Sequence, residues 1–191
     1  MKSTFKNMAV CLSVICLVCS ALLAGVYVLT AGPIAAAAQA KTANAIAEVT
    51  PAFDSYEAKS TDMDGVTYPY YQVCDASGNV LAYAIQSTTS GFGGALTLMV
   101  GVTTDGVVYN TSVLSHSETP GLGAKCTEPK FHDQFAGWNP SEKTLVVKKD
   151  GGDVDAITAS TITSRAYTLA VANAVKVSMI LNANNGGQDN E

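Results

Sequence analysis

The chain has 191 residues and a formal net charge of −5, and 48% of it is hydrophobic against 14% charged. That length suits one domain with an appended segment and leaves enough chain for a substantial core. The acidic balance, with no basic cluster to offset it, argues against a nucleic-acid-binding surface.

Much of the apolar content lies at the N-terminus, where Met8 to Leu29 carries no charged residue. A run of that length predicts a helix able to cross the ~30 Å hydrocarbon core of a bilayer. Lys2 and Lys6 precede it and the next basic residue is Lys41, so the positive-inside rule leaves residues 1–7 in the cytoplasm and sends the rest across. A cleaved signal peptide is the rival, encouraged by the Ala-rich run from Ala35 to Ala40. The apolar core exceeds the ~7–15 residues of a signal peptide, which favours an uncleaved anchor. Bulky Ile15 and Val18 before Cys16 and Cys19 argue against a lipoprotein. Cys11, Cys16 and Cys19 read as small hydrophobic residues of the span. Cys74 and Cys126 remain for the soluble part, where a disulfide is open, and no metal or thiol chemistry is assigned to them.

Gly32-Pro33 is expected to break the membrane helix, and residues 30–65 read as a helical connector that reaches about Ala58 with an interruption near Pro51. Thr67 to Cys74 and Val80 to Ile85 flank the turn residues Asp75 to Asn79 and predict a hairpin. Ala95 to Thr103 and Val107 to Leu114 predict a second hairpin around Asp105-Gly106, with Leu96, Leu98, Val100 and Val102 forming one apolar face. Gly91-Phe92-Gly93-Gly94 precedes it, as either a plain turn or a place where something approaches the backbone closely. Phe131 to Trp138 predicts a short helix, Leu145 to Val147 a short strand, and Thr161 to about Asn182 the best helix of the soluble part. Residues 184–191 form a polar tail. Strands followed by helices make residues 66–183 an α+β domain of antiparallel hairpins and packed helices.

Two segments invite chemistry. Asp155-Ala156-Ile157-Thr158-Ala159-Ser160-Thr161-Ile162-Thr163-Ser164 opens the long helix, where unpaired N–H groups and the helix dipole favour an anion. Ser and Thr there serve equally as simple helix caps. The loop Ser117-Glu118-Thr119-Pro120-Gly121-Leu122-Gly123 follows a strand, and its glycines and Leu122 suit a flat ligand as well as an ordinary turn. His116 has no partner carboxylate or nucleophile at hydrolase spacing, so no catalytic residue is assigned.

In this order, the Gly91–Gly94 loop, the Glu-Thr-Pro-Gly-Leu-Gly loop and the Thr-rich helix start resemble the covalent FMN-binding domain family of membrane electron-transport complexes. The nearest likeness is to the G subunit of Rnf-type ion-translocating ferredoxin:NAD oxidoreductases. A related likeness is to the C subunit of sodium-translocating NADH:quinone reductases, whose domain is usually larger.

The resemblance implies a non-catalytic electron-transfer subunit in which a separate flavin transferase esterifies the FMN phosphate to the last Thr of a Ser/Thr-Gly-Ala-Thr motif, here Thr161. It implies phosphate contacts from Thr158, Ser160 and Thr163, and a ring site lined by Glu118, Thr119, Gly121, Leu122 and Gly123. Partners implied are other membrane and iron–sulfur subunits and the membrane lipid, with the domain on the outer face of a bacterial inner membrane. The chain departs from the motif at Ala159 and Ser160, where the family carries Gly and Ala; Ala159 lacks glycine's conformational freedom. A cofactor-free anchored scaffold module is the alternative of a different class.

Overall fold

The computed structural model describes residues 5–185. Residues 1–4 of the expected N-terminal tail, and the polar tail beyond Asn185, lie outside the described residues. The chain divides after Lys41 into two units, Met1–Lys41 and Thr42–Glu191. Residues 5–41 of the first unit belong to α1 (Phe5–Val49), whose apolar N-terminal part is exposed along its length and is long and apolar enough to cross a membrane.

Two expectations fail along α1. The helix runs through Pro33 without a break. A proline removes one i→i−4 bond, and the helix-favouring run of alanines that follows carries the ladder past it. The helix then stops at Val49, ahead of Pro51, with the Thr50 hydroxyl donating to the Ile46 carbonyl at 2.7 Å. The stretch expected to stay helical to Ala58 instead enters strand β1 (Ser55–Met63). Its residues are polar on both faces and nearly all exposed, so it carries none of the period-2 alternation by which strands are recognised.

Strands β1, β2 (Val66–Cys74), β3 (Val80–Ser90), β4 (Ala95–Thr103) and β5 (Val108–Ser115) form a five-stranded antiparallel meander in sequence order. Both expected hairpins are present. The Asp75 carboxylate accepts the Ser77 and Asn79 N–H groups at 2.8 Å and fixes the β2–β3 turn. Asn79 holds that carboxyl below the ordinary carboxylate range.

The sheet is covered on both faces. On one face the buried side chains of β4, Leu96, Leu98, Val100 and Val102, meet Tyr167, Ala170, Val171 and Ala174 of α3 (Thr161–Asn185). Phe131 of the short α2 (Pro129–His132), Phe135 of the 3-10 turn Asp133–Phe135, and Trp138 just beyond that turn join this core. The Tyr167 hydroxyl bonds to that of Thr111 at 2.7 Å, and burial raises its phenol above the ordinary value. On the other face Ala45, Ile46 and Val49, from the last turns of α1, pack on Val73, Ala82, Ala84 and Met99. Gly101 permits this approach, because a Cβ there would run into the Val49 carbonyl oxygen. The second face of β4 is thus buried too, which its small and mixed residues did not announce.

The fold is α+β, as the sequence predicts. The expected strand at Leu145 to Val147 reduces to one parallel bridge between Val147 and Val154. Cys74 and Cys126 are both free, the first half-buried and the second wholly buried in the core.

Candidate functional site

Glu118 joins three segments that are far apart in sequence. It follows β5 and is buried, with 6% exposure. One carboxylate oxygen accepts the Phe92 N–H at 2.8 Å and the Gly93 N–H at 3.4 Å, and the other accepts the Thr163 hydroxyl at 2.7 Å. The β3–β4 loop, the loop after β5 and the first turn of α3 are thereby fastened together. Two glycines make room for the carboxylate, since a Cβ at Gly91 or at Gly123 would collide with its oxygens. The Glu118 N–H in turn donates to His116 Nδ1 at 3.2 Å, so the histidine supports the loop.

The start of α3 is held just as closely. Ser164 Oγ accepts the Ile157 N–H and donates to the Ser160 carbonyl, both at 2.9 Å, closing the turn that precedes the helix. The backbone bond from Ser164 N–H to Ser160 O follows at 3.0 Å. The N–H groups of Thr161, Ile162 and Thr163 come before it and have no carbonyl one turn back within the helix. Ala159 is left-handed, with φ of 61°, a conformation that favours glycine. The Gln134 side-chain amide holds Asp155 by both backbone groups, accepting its N–H at 2.8 Å and donating to its carbonyl at 3.2 Å.

A short 3-10 turn, Lys148–Asp150, lies alongside. Arg165 grips the Asp150 carboxylate with two nitrogens, at 2.6 and 2.7 Å, which holds that carboxyl below the ordinary carboxylate range and raises the guanidinium. Lys149 Nζ then sits 3.2 Å from Thr161 Oγ1.

Between these segments lies a cleft of about 350 Å³ lined by Phe92, Glu118, Thr119, Leu122, Gly123 and residues 159–163. Of the residues proposed from sequence for the ring site, Glu118, Thr119, Leu122 and Gly123 line this cleft, whereas Gly121 is exposed outside it at the turn, with φ of 76°. Thr161, Ser160 and Thr163 line it as well; Thr158 faces a neighbouring hollow with Lys125 and Gln134. Thr163 has already committed its hydroxyl to Glu118.

Phe92, Leu122 and Ile162 are 69%, 44% and 51% exposed around the cleft, an apolar rim left open to solvent. Sequence reasoning missed Lys149, Gln134 and the Asp150–Arg165 pair. Only the two adjacent lysines after Val147 hinted at the first, and nothing in the sequence placed them beside Thr161.

Residues 91–176 match the family model described as "FMN-binding domain", and residues 1–49 match "RnfG N-terminal region". The G subunit of an ion-translocating oxidoreductase complex from Methanosarcina acetivorans is 35% identical over 167 residues that cover 85% of this chain and 88% of the relative. The chain belongs to the G-subunit family of ion-translocating oxidoreductase complexes. A second member, the G subunit of the proton-translocating ferredoxin:NAD(+) oxidoreductase complex of Clostridium ljungdahlii, is 32% identical, covering 86% of both chains. Among solved structures, the C subunit of the Na(+)-translocating NADH-quinone reductase from Parabacteroides distasonis aligns over 56% of this chain and 58% of its own, at 28% identity and a TM-score of 0.44.

The cleft of this G-subunit family member falls wholly inside its FMN-binding domain. Its residues fit such a group at both ends. The apolar rim of Phe92, Leu122 and Ile162 suits a flat aromatic ring. The helix start and the Lys149 ammonium suit a phosphate. Ala159 holds the left-handed conformation that glycine adopts without strain.

Proposed function

We propose that this chain is a single-pass membrane flavoprotein that relays electrons within an ion-translocating ferredoxin:NAD oxidoreductase complex. In this reading FMN is tied through its phosphate to Thr161 Oγ1, and the domain lies on the outer face of the membrane. The observation that carries the reading is the half-buried Thr161, at a helix start and on the wall of a cleft rimmed by Phe92, Leu122 and Ile162.

The bound flavin supplies one- and two-electron chemistry. This chain's residues hold and orient it. Ser160 and the N–H groups at the start of α3 hold the phosphate end. Leu122, Ile162 and Phe92 cover the ring, and Glu118 keeps the walls in register through Phe92, Gly93 and Thr163. A covalent tether keeps the group from escaping into the medium on the outer face. That orientation follows from Lys2 and Lys6 preceding the span. A flavin transferase acting on the folded domain, and further membrane and iron–sulfur subunits, complete the partners in this reading.

Full-length protein made together with a flavin transferase tests the tether. A flavin-fluorescent band should survive denaturing electrophoresis in the wild type and vanish in Thr161→Ala. No band, or a band that persists in the variant, sinks the covalent reading.

A further inference from the structure

We infer that Lys149 is the counter-charge of the tethering phosphodiester, a positioning residue held ready beside Thr161 before the flavin arrives. The inference rests on the reading that Thr161 carries the flavin, and it assigns the charge balance of that bond.

The arrangement of charges around Thr161 points to it. Lys148 pairs with Asp155 at 2.8 Å, and Arg165 takes the Asp150 carboxylate with both of its contacting nitrogens. Asp153 accepts the Thr144 N–H, and the Asp150 carboxylate feels the Lys149 charge but is gripped by Arg165; among the described residues Lys149 closes no ion pair of its own. Its ammonium rests on a neutral hydroxyl, 3.2 Å away.

An exposed lysine gains little by ordering its long stem onto a neutral group. The contact follows from the anchoring of its backbone. The Lys148–Asp150 turn is fastened to α3 by the Asp150–Arg165 pair. It is closed by Gly151 at φ of 88°, and Gly152 lies where a Cβ would strike the Val146 carbonyl oxygen. These contacts present Lys149 to the one hydroxyl that the proposed chemistry uses.

Transfer from a flavin dinucleotide balances without any redox change. The Thr161 Oγ1–P bond forms and the bridging P–O bond of the diphosphate breaks. The nucleoside monophosphate leaves with the bridging oxygen, and the hydroxyl proton passes to a base on the transferase. A diester with one negative charge, shared by its two non-bridging oxygens, then begins at the oxygen that Lys149 already touches, so the ammonium faces an anion in place of a neutral hydroxyl.

The test compares wild type with Lys149→Ala, Lys149→Glu and Lys149→Arg in full-length protein supplied with flavin adenine dinucleotide and the transferase. Modification is followed by intact mass, and the phosphorus-31 resonance is recorded after exhaustive modification. We expect transfer to slow about tenfold in the Ala variant, more in the Glu variant, and to stay within about twofold of wild type in the Arg variant. The resonance should move in the Ala variant and stay in place in the Arg variant. Wild-type rates in the Glu variant overturn the assignment. So does slow transfer with an unmoved resonance, which would place Lys149 in the docking surface for the transferase instead. A wild type that takes no flavin overturns the underlying reading of Thr161 and this one with it.

Discussion

The Glu118 carboxylate and the Thr163 hydroxyl, 45 residues apart in sequence, are hydrogen-bonded at 2.7 Å beneath the cleft. The same carboxylate accepts two backbone N–H groups of the β3–β4 loop, so one side chain determines how the two loops and α3 meet. Hydrogen bonds to a charged group contribute ~1.5–3 kcal/mol each, and a buried group left without its partner costs about as much. Glu118→Ala should therefore destabilise the domain by about 2–4 kcal/mol. Glu118→Gln should cost less, because its amide oxygen can accept both N–H groups while its nitrogen donates to Thr163. The single tryptophan of the chain, Trp138, is buried in the domain core, so denaturant unfolding followed by its fluorescence reports this unit. Equal stability of the Ala variant and wild type would remove Glu118 from this role.

Ala159 gives the second prediction. Its φ of 61° places a Cβ where L-residues are disfavoured, at a cost of ~1–2 kcal/mol, part of which a glycine would give back as unfolded-state entropy. Ala159→Gly should raise stability by up to about 1 kcal/mol, and Ala159→Val, β-branched in the same conformation, should lower it by more than that. The same Trp138 transition measures both. A Gly variant less stable than wild type would mean that the left-handed turn is not retained in solution.

How much of this was legible in the sequence follows from what each segment buries. Strands β2 to β5 were readable because Tyr, Val and Leu alternate and turn residues separate them, Asp75 to Asn79, then Gly91 to Gly94, then Asp105-Gly106. Strand β1 was not, because Glu57, Lys59 and Asp62 leave it polar on both faces and only its pairing with β2 makes it a strand. The end of α1 was read as a connector, since its burial depends on Gly101 of a strand some fifty residues on, a contact that no local pattern encodes. At the site, Thr161 and the Glu118 loop were visible as motifs. Lys149 and Gln134 were not, since their roles arise from a 3-10 turn and a loop brought together only by the fold.

The Asp150–Arg165 pair predicts an acid dependence with a defined sign. The folded-state pKa of Asp150 lies below its ordinary 3.8, so its contribution is present above that pH and is lost as pH falls through the folded value. Asp150→Asn removes the contribution at every pH. The stability difference between wild type and this variant should therefore be constant from neutrality down to about pH 4 and close below it. The pair is exposed, so the difference should be small and should shrink in high salt. A difference that grows on acidification would contradict the assignment.

Cys126 predicts the opposite dependence at the alkaline end. Burial in the core, helped by the charge of Glu118, pushes its thiol up from 9.0 to about 11. The folded protein thus keeps a proton that the unfolded chain has begun to release at pH 9, and stability must fall as pH rises. The contribution is complete below pH 9 and gone above about pH 11. Cys126→Ala lacks this titration, while the raised phenol of Tyr167 remains in both proteins. Wild type should therefore lose stability more steeply than the variant between pH 9 and 11, by no more than about 2–3 kcal/mol. Below pH 9 the variant should be the weaker of the two by about 1 kcal/mol, the cost of the small cavity left by the sulfur. An alkylating reagent at about pH 8 should leave Cys126 unmodified in the native protein and label it once denaturant is added. Parallel stability curves across that window, or ready labelling of the native thiol, would show that Cys126 is not held in the core as a protonated group.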